Sequence, residues 1–177
     1  IQPDRRWGVS FGGPIIKDRL FFFGAYEKQT SSQSQDDGPS GGGFANEIPG
    51  VTVDQFNQIS DVIRDVYGIE SGPLVKDRPF TNKRLFGRLD WQINDDHRLE
   101  GTYQRLKEST VKTDDFNTSN RVVTGLNNYL NSGTDSKYYS ARLYSHWTDR
   151  FSTELRYARS NIVDIQDPIG GGEAQSG

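Results

Sequence analysis

The feature that most limits what this chain can become is a two-residue alternation whose polar half is charged. From Arg84 to Ile93, the residues Leu85, Leu89, Trp91 and Ile93 share one parity, and Arg84, Arg88, Asp90 and Gln92 share the other. Arg98 to Leu106 sets Leu99 and Tyr103 against Arg98, Glu100, Thr102 and Gln104. Tyr138 to Trp147 sets Tyr139, Ala141, Leu143 and Trp147 against Ser140, Arg142, Tyr144 and His146. Phe151 to Ser160 sets Phe151, Leu155 and Tyr157 against Ser152, Glu154 and Arg156. Successive side chains of a strand point to opposite faces. Each run therefore predicts a strand with one apolar and one charged face. Buried charge is costly unless fully paired, so the charged face suits a hydrated space.

Composition agrees. Of 177 residues, 32% are hydrophobic and 25% charged, yet there are ten Phe, eight Tyr and three Trp. A water-soluble domain this polar struggles to fill a core. A transmembrane β-barrel turns its apolar residues outward to lipid and keeps a wet interior, which reconciles the two facts. A membrane helix needs about 18–20 apolar residues, and the longest apolar block here is only Leu20 to Tyr26. There is no cysteine, hence no disulfide framework and no thiolate chemistry. The net charge of -3 argues against a nucleic-acid partner.

Two earlier runs, Arg6 to Gly12 and Leu20 to Glu27, bring the predicted strands to about six. Short turns (residues 14–19, 94–97 and 148–150) alternate with long polar connections (28–80 and 107–136). Outer-membrane barrels show this asymmetry, with short periplasmic turns and longer extracellular loops. Residues 1–27 then form a first hairpin, 28–80 a long extracellular loop, 81–160 four further strands, and 161–177 the start of another loop. Within the first loop, Val53, Phe56, Ile59, Ile63 and Val66 fall three or four apart. That spacing predicts a helix near 52–67, with Asp54 in its first turn and Gly68 stopping it. Phe21, Trp91, Trp147 and Phe151 sit near the short turns, as an aromatic girdle at the lipid–water boundary would.

The segment Gly12-Gly-Pro-Ile-Ile-Lys-Asp-Arg-Leu-Phe-Phe-Phe-Gly-Ala-Tyr-Glu27 resembles a signature of TonB-dependent outer-membrane receptors of the Oar-like group. The strand Arg6-Trp-Gly-Val-Ser-Phe11 before it, and Arg88-Leu-Asp90, His97-Arg-Leu99 and Tyr103 after it, also resemble that group. The resemblance implies a Gram-negative outer-membrane barrel of about 22 strands. It also implies a signal peptide, a carboxypeptidase-regulatory-like domain, a TonB box and a plug upstream, and more strands downstream. Six strands do not close a membrane barrel, and open edges are not tolerated in lipid, so the chain is expected to be an interior piece of a larger one. The implied partners are outer-membrane lipid, the receptor's own plug and remaining strands, and the TonB–ExbB–ExbD complex acting through regions outside this chain. The implied activity is ligand import without a chemical reaction, cofactor or metal.

Other motifs have plain readings. Gly8-Val-Ser10-Phe-Gly12 matches G-x-S-x-G, but the nucleophile elbow needs a helix directly after the Ser. Here Gly13-Pro14 and another strand follow. Asp36-Asp37, Asp95-Asp96 and Asp114-Asp115 with Asn117 are oxygen-rich, but none has EF-hand spacing. They read as solvated loops and turn chemistry. His97 and His146 lie on different hairpins without ligand spacing; His97 is expected to cap its turn and His146 to join the interior network. Phe44, Phe116 and Tyr129 are isolated aromatics in the loops.

The interior-facing set is Arg84, Arg88, Asp90, Arg98, Glu100, Arg142, His146, Glu154 and Arg156. These side chains are expected to pair across strands and to contact a plug, or to line a ligand path. Two other functions fit the same pattern. One is an Oar-like barrel for surface adhesion, assembly or protein export, with a protein partner on the 28–80 loop. The other is a soluble extracellular β-rich binding module.

Overall fold

The alternating runs become strands because each can bury one face only against something other than its own sheet. The computed structural model describes residues 3–113 and 123–170. In chain order the elements are β1 (Arg5–Ile16), β2 (Leu20–Ser34), β3 (Asp37–Ser40), β4 (Asn46–Thr52), α1 (Val53–Tyr67), β5 (Asp77–Gln92), β6 (His97–Thr113), β7 (Tyr129–Thr148) and β8 (Phe151–Pro168). A 3-10 turn, Leu126–Asn128, leads into β7. The six long strands form one antiparallel sheet in the order β1-β2-β5-β6-β7-β8.

The register separates the two faces along the whole sheet. Leu20, Trp91, Leu99, Leu143 and Leu155 lie in one cross-strand row. The adjacent row, on the other face, is Phe21, Asp90, Glu100, Arg142 and Arg156. Large apolar side chains on the first face lie open: Phe11 is 61% exposed and Leu155 66%. No second layer covers them among the described residues. That is the wall of a membrane barrel, whose outward face meets lipid instead of a core.

The strands run past the predicted limits. Pairing of β2 with β5 continues to Ser34 and Asp77, and β6 with β7 to Thr113 and Tyr129. The long connections therefore shrink to residues 35–76 and 114–128. Similarly, β8 extends to Pro168, through residues expected to begin a loop. Beyond the lipid both faces meet water, so alternation is no longer required, yet the backbone still gains from its ladder bonds.

The short turns all lie at one end of the sheet, here the turn end. Asp18 adopts φ 61°, and Arg19 N–H donates to the Ile16 carbonyl at 3.1 Å. The Asn94 side-chain oxygen accepts from the backbone N–H groups of Asp96 (3.0 Å) and His97 (2.8 Å). The Asn94 side chain closes that turn, an Asx arrangement; the His97 ring instead packs on Trp147 at 5.0 Å between centroids.

At the loop end a small cluster of Val75, Val111 and Tyr129, flanked by Leu126 and Ile169, joins the loops to the upper strands. β3 and β4 form a separate parallel pair within the connection whose composition is that of a polar loop. Phe44 packs there against Gly38 and Gly42, where any Cβ would meet its ring within 2.5 Å or less. Tyr129 and Phe44 are thus packing residues; Phe116, Asp114, Asp115 and Asn117 lie outside the described residues. The helix α1 is capped by Thr52, whose hydroxyl accepts from Gln55 N–H while the Gln55 side chain accepts from Thr52 N–H. Gly68 ends it with φ 68°. Asp61 at 2.8 Å and Asp65 at 3.2 Å hold the Arg64 guanidinium and raise its pKa above its ordinary value.

The outward face carries its own measure of strand tilt. Six large outward side chains, Trp7, Tyr26, Leu85, Tyr103, Tyr139 and Tyr157, one on each long strand, mark a line across the sheet; above it the outward parity is mostly polar, with Val111, Tyr129, Val163 and Ile165 the apolar residues nearer the loop end. By register, Trp7 lies two residues above Tyr26, Leu85 two above Tyr103, and Tyr139 two above Tyr157. Tyr26 is level with Leu85, and Tyr103 with Tyr139. The line thus falls six residues over five strand steps. With a rise of about 3.3 Å per residue and about 4.8 Å between strands, a line parallel to the membrane requires strands tilted by about 40°. Membrane barrels tilt by about 35–45°. At the turn end, the edge falls in parallel from Leu20 and Trp91 to Trp147 and Phe151, so the apolar band keeps a length of roughly 20–26 Å along the strands, or about 15–20 Å along the membrane normal at that tilt.

Polarised infrared spectra of the complete protein in oriented bilayers are expected to give a strand tilt of about 40°; a tilt below roughly 20° contradicts the line of aromatics. Thr52→Ala is expected to cost α1 about 1 kcal/mol, read as faster amide exchange at residues 53–56.

Candidate functional site

The charged face concentrates its ion pairs in the third of the sheet nearest the turns. On β5, Arg88 and Asp90 share a face, two residues apart. Arg88 donates through Nε and Nη2 to both Asp90 carboxylate oxygens, each at 2.7 Å, and through Nη2 to Glu100 on β6 at 3.0 Å. Asp90 and Glu100 are direct cross-strand partners. Two like charges so placed repel, and Arg88 bridges them.

The network continues across the sheet. Glu100 lies opposite Arg142 on β7, and Arg142 opposite Arg156 on β8. Arg142 donates to the Tyr144 hydroxyl at 2.6 Å and approaches Glu154 at 3.2 Å. Glu154 also meets Arg156 at 3.4 Å. The Arg98 guanidinium sits 4.5 Å from the centre of the Tyr144 ring, a cation–π stack. Seven of the nine interior candidates thus form two contact groups, Arg88–Asp90–Glu100 and Arg98–Arg142–Glu154–Arg156 around Tyr144, that face each other where Glu100 lies opposite Arg142.

The other two stand apart. Arg84 pairs with Glu27 at 3.3 Å, and Glu27 also accepts from Arg6 at 2.8 Å, in a separate group nearer the loop end. His146 lies opposite Ser152, exposed at the turn end, without a side-chain hydrogen bond among the described residues. It does not join the network, because the strand places it beyond the Glu154 row.

Of the four aromatics assigned to the girdle, Trp91, Trp147 and Phe151 lie at the turn end of the outward face. Trp147 is a bulge residue, and its indole N–H donates to Thr153 at 3.0 Å. Phe21 is corrected: it pairs with Asp90 and so belongs to the charged face. Leu20 and Phe22 point outward in its place. In the run Leu20-Phe-Phe-Phe23 the residues do not alternate in character, so parity could not be read from the sequence alone.

Two contacts on this face leave no signal in the sequence. The Thr102 and Ser140 hydroxyls meet at 2.6 Å across β6 and β7. Phe23 and Phe86 stack with centroids 6.0 Å apart, making an apolar patch beside Arg88. Alternation places Thr102 and Ser140 on this face, but their contact, like that of Phe23 with Phe86, depends on the register.

The arrangement offers paired charges, hydroxyls and an aromatic patch, a surface for binding. Ser10 lies within β1 opposite Ala25, flanked by strand on both sides, without the helix an elbow requires. Among the described residues, no three His, Asp or Glu side chains converge as metal ligands would.

Residues 4–42, covering β1, β2 and β3, match the family model described as an outer membrane beta barrel domain. No curated protein and no solved structure matches the chain. The match and the six-stranded antiparallel sheet together place the chain in the wall of a β-barrel of the bacterial outer membrane. In such a wall the apolar face meets lipid and the charged face lines the interior.

Removing Arg88 leaves Asp90 and Glu100 opposed. In the complete protein, Arg88→Gln is expected to lower stability to urea by about 1–2 kcal/mol. Adding Asp90→Asn to that variant is expected to restore part of the loss. Additive losses in this double-mutant cycle would contradict the bridging role.

Proposed function

We propose that this chain is part of a TonB-dependent receptor that binds an extracellular ligand and imports it with inner-membrane energy. The observation that carries this reading is the segment Gly12 to Glu27, which resembles the receptor signature and forms the β1–β2 hairpin and the wall above it. The interior band of Arg88, Asp90, Arg98, Glu100, Arg142, Glu154 and Arg156 supports it, since a plug needs a polar, hydrogen-bonding wall to rest on and to slide from. The pairs are worth only about 0.2–1 kcal/mol each when solvated, so they can exchange partners with a plug at small cost. The loop end faces outward, because barrels place short turns in the periplasm. No bond is made or broken by this face: proton-motive energy, delivered through TonB, does the work.

A second reading, a barrel for surface adhesion or assembly, is favoured by α1. Its Ile59, Val62 and Val66 are 58%, 57% and 66% exposed. Beside it lies a hollow of about 510 Å³ lined by Phe56, Ile63 and Val123 among others.

The purified periplasmic domain of TonB is expected to form an equimolar complex with the complete protein extracted from outer membranes. Absence of that complex, with the barrel folded, contradicts import and favours the surface role.

A further inference from the structure

The outward face is not uniformly apolar. Immediately above the line of Trp7, Tyr26, Leu85, Tyr103, Tyr139 and Tyr157, each strand carries a cation on the same face, two residues towards the loop end. These are Arg5, Lys28, Lys83, Arg105, Lys137 and Arg159. Rising strands spell it Tyr26-Glu-Lys28, Tyr103-Gln-Arg105 and Tyr157-Ala-Arg159; descending strands spell it in reverse, as in Lys137-Tyr-Tyr139. The cations step down with the aromatics, so both lines run parallel to the membrane. Lys107 adds another charge, level with Lys83.

The sign is one-sided. Glu27, Asp90, Glu100, Glu108 and Glu154 all take the interior parity of their strands. Within the belt, Asp135 is the one carboxylate among the described residues, and Arg105 holds it through two hydrogen bonds. Arg5, Lys28, Lys83, Lys107, Lys137 and Arg159 make no ion pair among the described residues. Arg6, Arg84, Arg88, Arg142 and Arg156 on the interior face each meet a carboxylate, whereas of the outward cations only Arg105 does among the described residues. Two hollows open on the belt. One, of about 270 Å³, is bounded by Tyr26, Leu85, Lys83, Arg105 and Lys107. The other, of about 430 Å³, is bounded by Lys137, Tyr139, Tyr157, Arg159 and Asn161.

We propose that this belt binds the phosphate groups of the phosphorylated glycolipid of the outer leaflet, its acyl chains lying on the apolar face below. An amphiphile fits because a cation sits two residues above the last large apolar or aromatic residue of the line on each long strand, a position from which Lys and Arg stems reach along apolar surface and hold their heads in the water layer. Net positive charge at that height selects an anionic headgroup over a zwitterionic one. The choice of leaflet rests on the outward orientation of the loop end; the binding itself does not rest on import.

The test uses the complete protein in mild detergent, with native mass spectrometry reporting bound diphosphorylated lipid A. Each cation near an anionic surface contributes about fivefold in affinity. Combined Lys83→Gln, Arg105→Gln, Lys137→Gln and Arg159→Gln is expected to weaken binding by about a thousandfold, and Lys83→Gln alone by about fivefold. Lys83→Arg with Lys137→Arg keeps the charge and is expected to keep the lipid. Arg150→Gln, at the turn end, is expected to leave retention unchanged. Equal retention by the fourfold variant, or of fully dephosphorylated lipid A, overturns the proposal. Displacement by inorganic phosphate at the lipid's own concentration also overturns it, because the acyl chains would then contribute nothing. Orientation is read separately: Asp61→Cys is expected to react with an impermeant maleimide on intact cells, and failure to react overturns the leaflet while leaving the binding result interpretable.

Discussion

A backbone crossing hydrocarbon finds no water for its N–H and C=O groups, and the rest of this structure follows from that constraint. The six long strands satisfy one another through antiparallel ladders of up to 18 residue pairs. With the backbone settled between strands, side chains are divided by parity alone. One parity meets lipid and must be apolar; the other meets the interior and can be charged. The row Leu20, Trp91, Leu99, Leu143, Leu155 beside the row Phe21, Asp90, Glu100, Arg142, Arg156 expresses that division across five strands. A one-residue slip in any pair would exchange the rows and put arginine into lipid, so register is strongly specified.

The division also explains how much could be read from the sequence. Within the lipid band the alternation is compulsory, and β5 to β8 are legible residue by residue. Above the band it lapses. Lys28 to Ser34, Asp77 to Lys83, and Tyr129 to Lys137 are paired strand but look like loop, because water on both faces removes the apolar parity. The small β3–β4 pair has four strand residues in β3 and a buried proline, Pro39, and leaves no periodic trace. Phe21 shows a different limit. Four large apolar residues in succession carry no parity, and only the pairing of Phe22 with Leu89 settles which way Phe21 points.

The charged face was legible as composition but not as a network. Alternation identifies Arg88, Asp90, Glu100, Arg142, Glu154 and Arg156 as companions on one face. It does not show that Arg88 bridges two carboxylates, that Arg98 stacks on Tyr144, or that Arg84 turns instead to Glu27. Those depend on row positions, which depend on turn lengths. The outward cations were in plain view as aromatic-x-base triplets. They merge with the polar loops in a linear reading and separate from them only when the registers align six strands at one slanting level.

Odd and even positions of these strands live in different media. This segment has no cysteine, so in a complete protein whose other cysteines, where it has any, are replaced by serine, single introduced cysteines report on each position. With bimane on Cys in the complete protein, reconstituted in bilayers containing nitroxide-labelled lipid, Leu89→Cys, Leu143→Cys and Leu155→Cys are predicted to be strongly quenched. Under the same conditions Thr102→Cys, Ser140→Cys and Ser152→Cys are predicted to be quenched weakly. Equal quenching of the two sets, or the reverse pattern, would contradict the barrel-wall account.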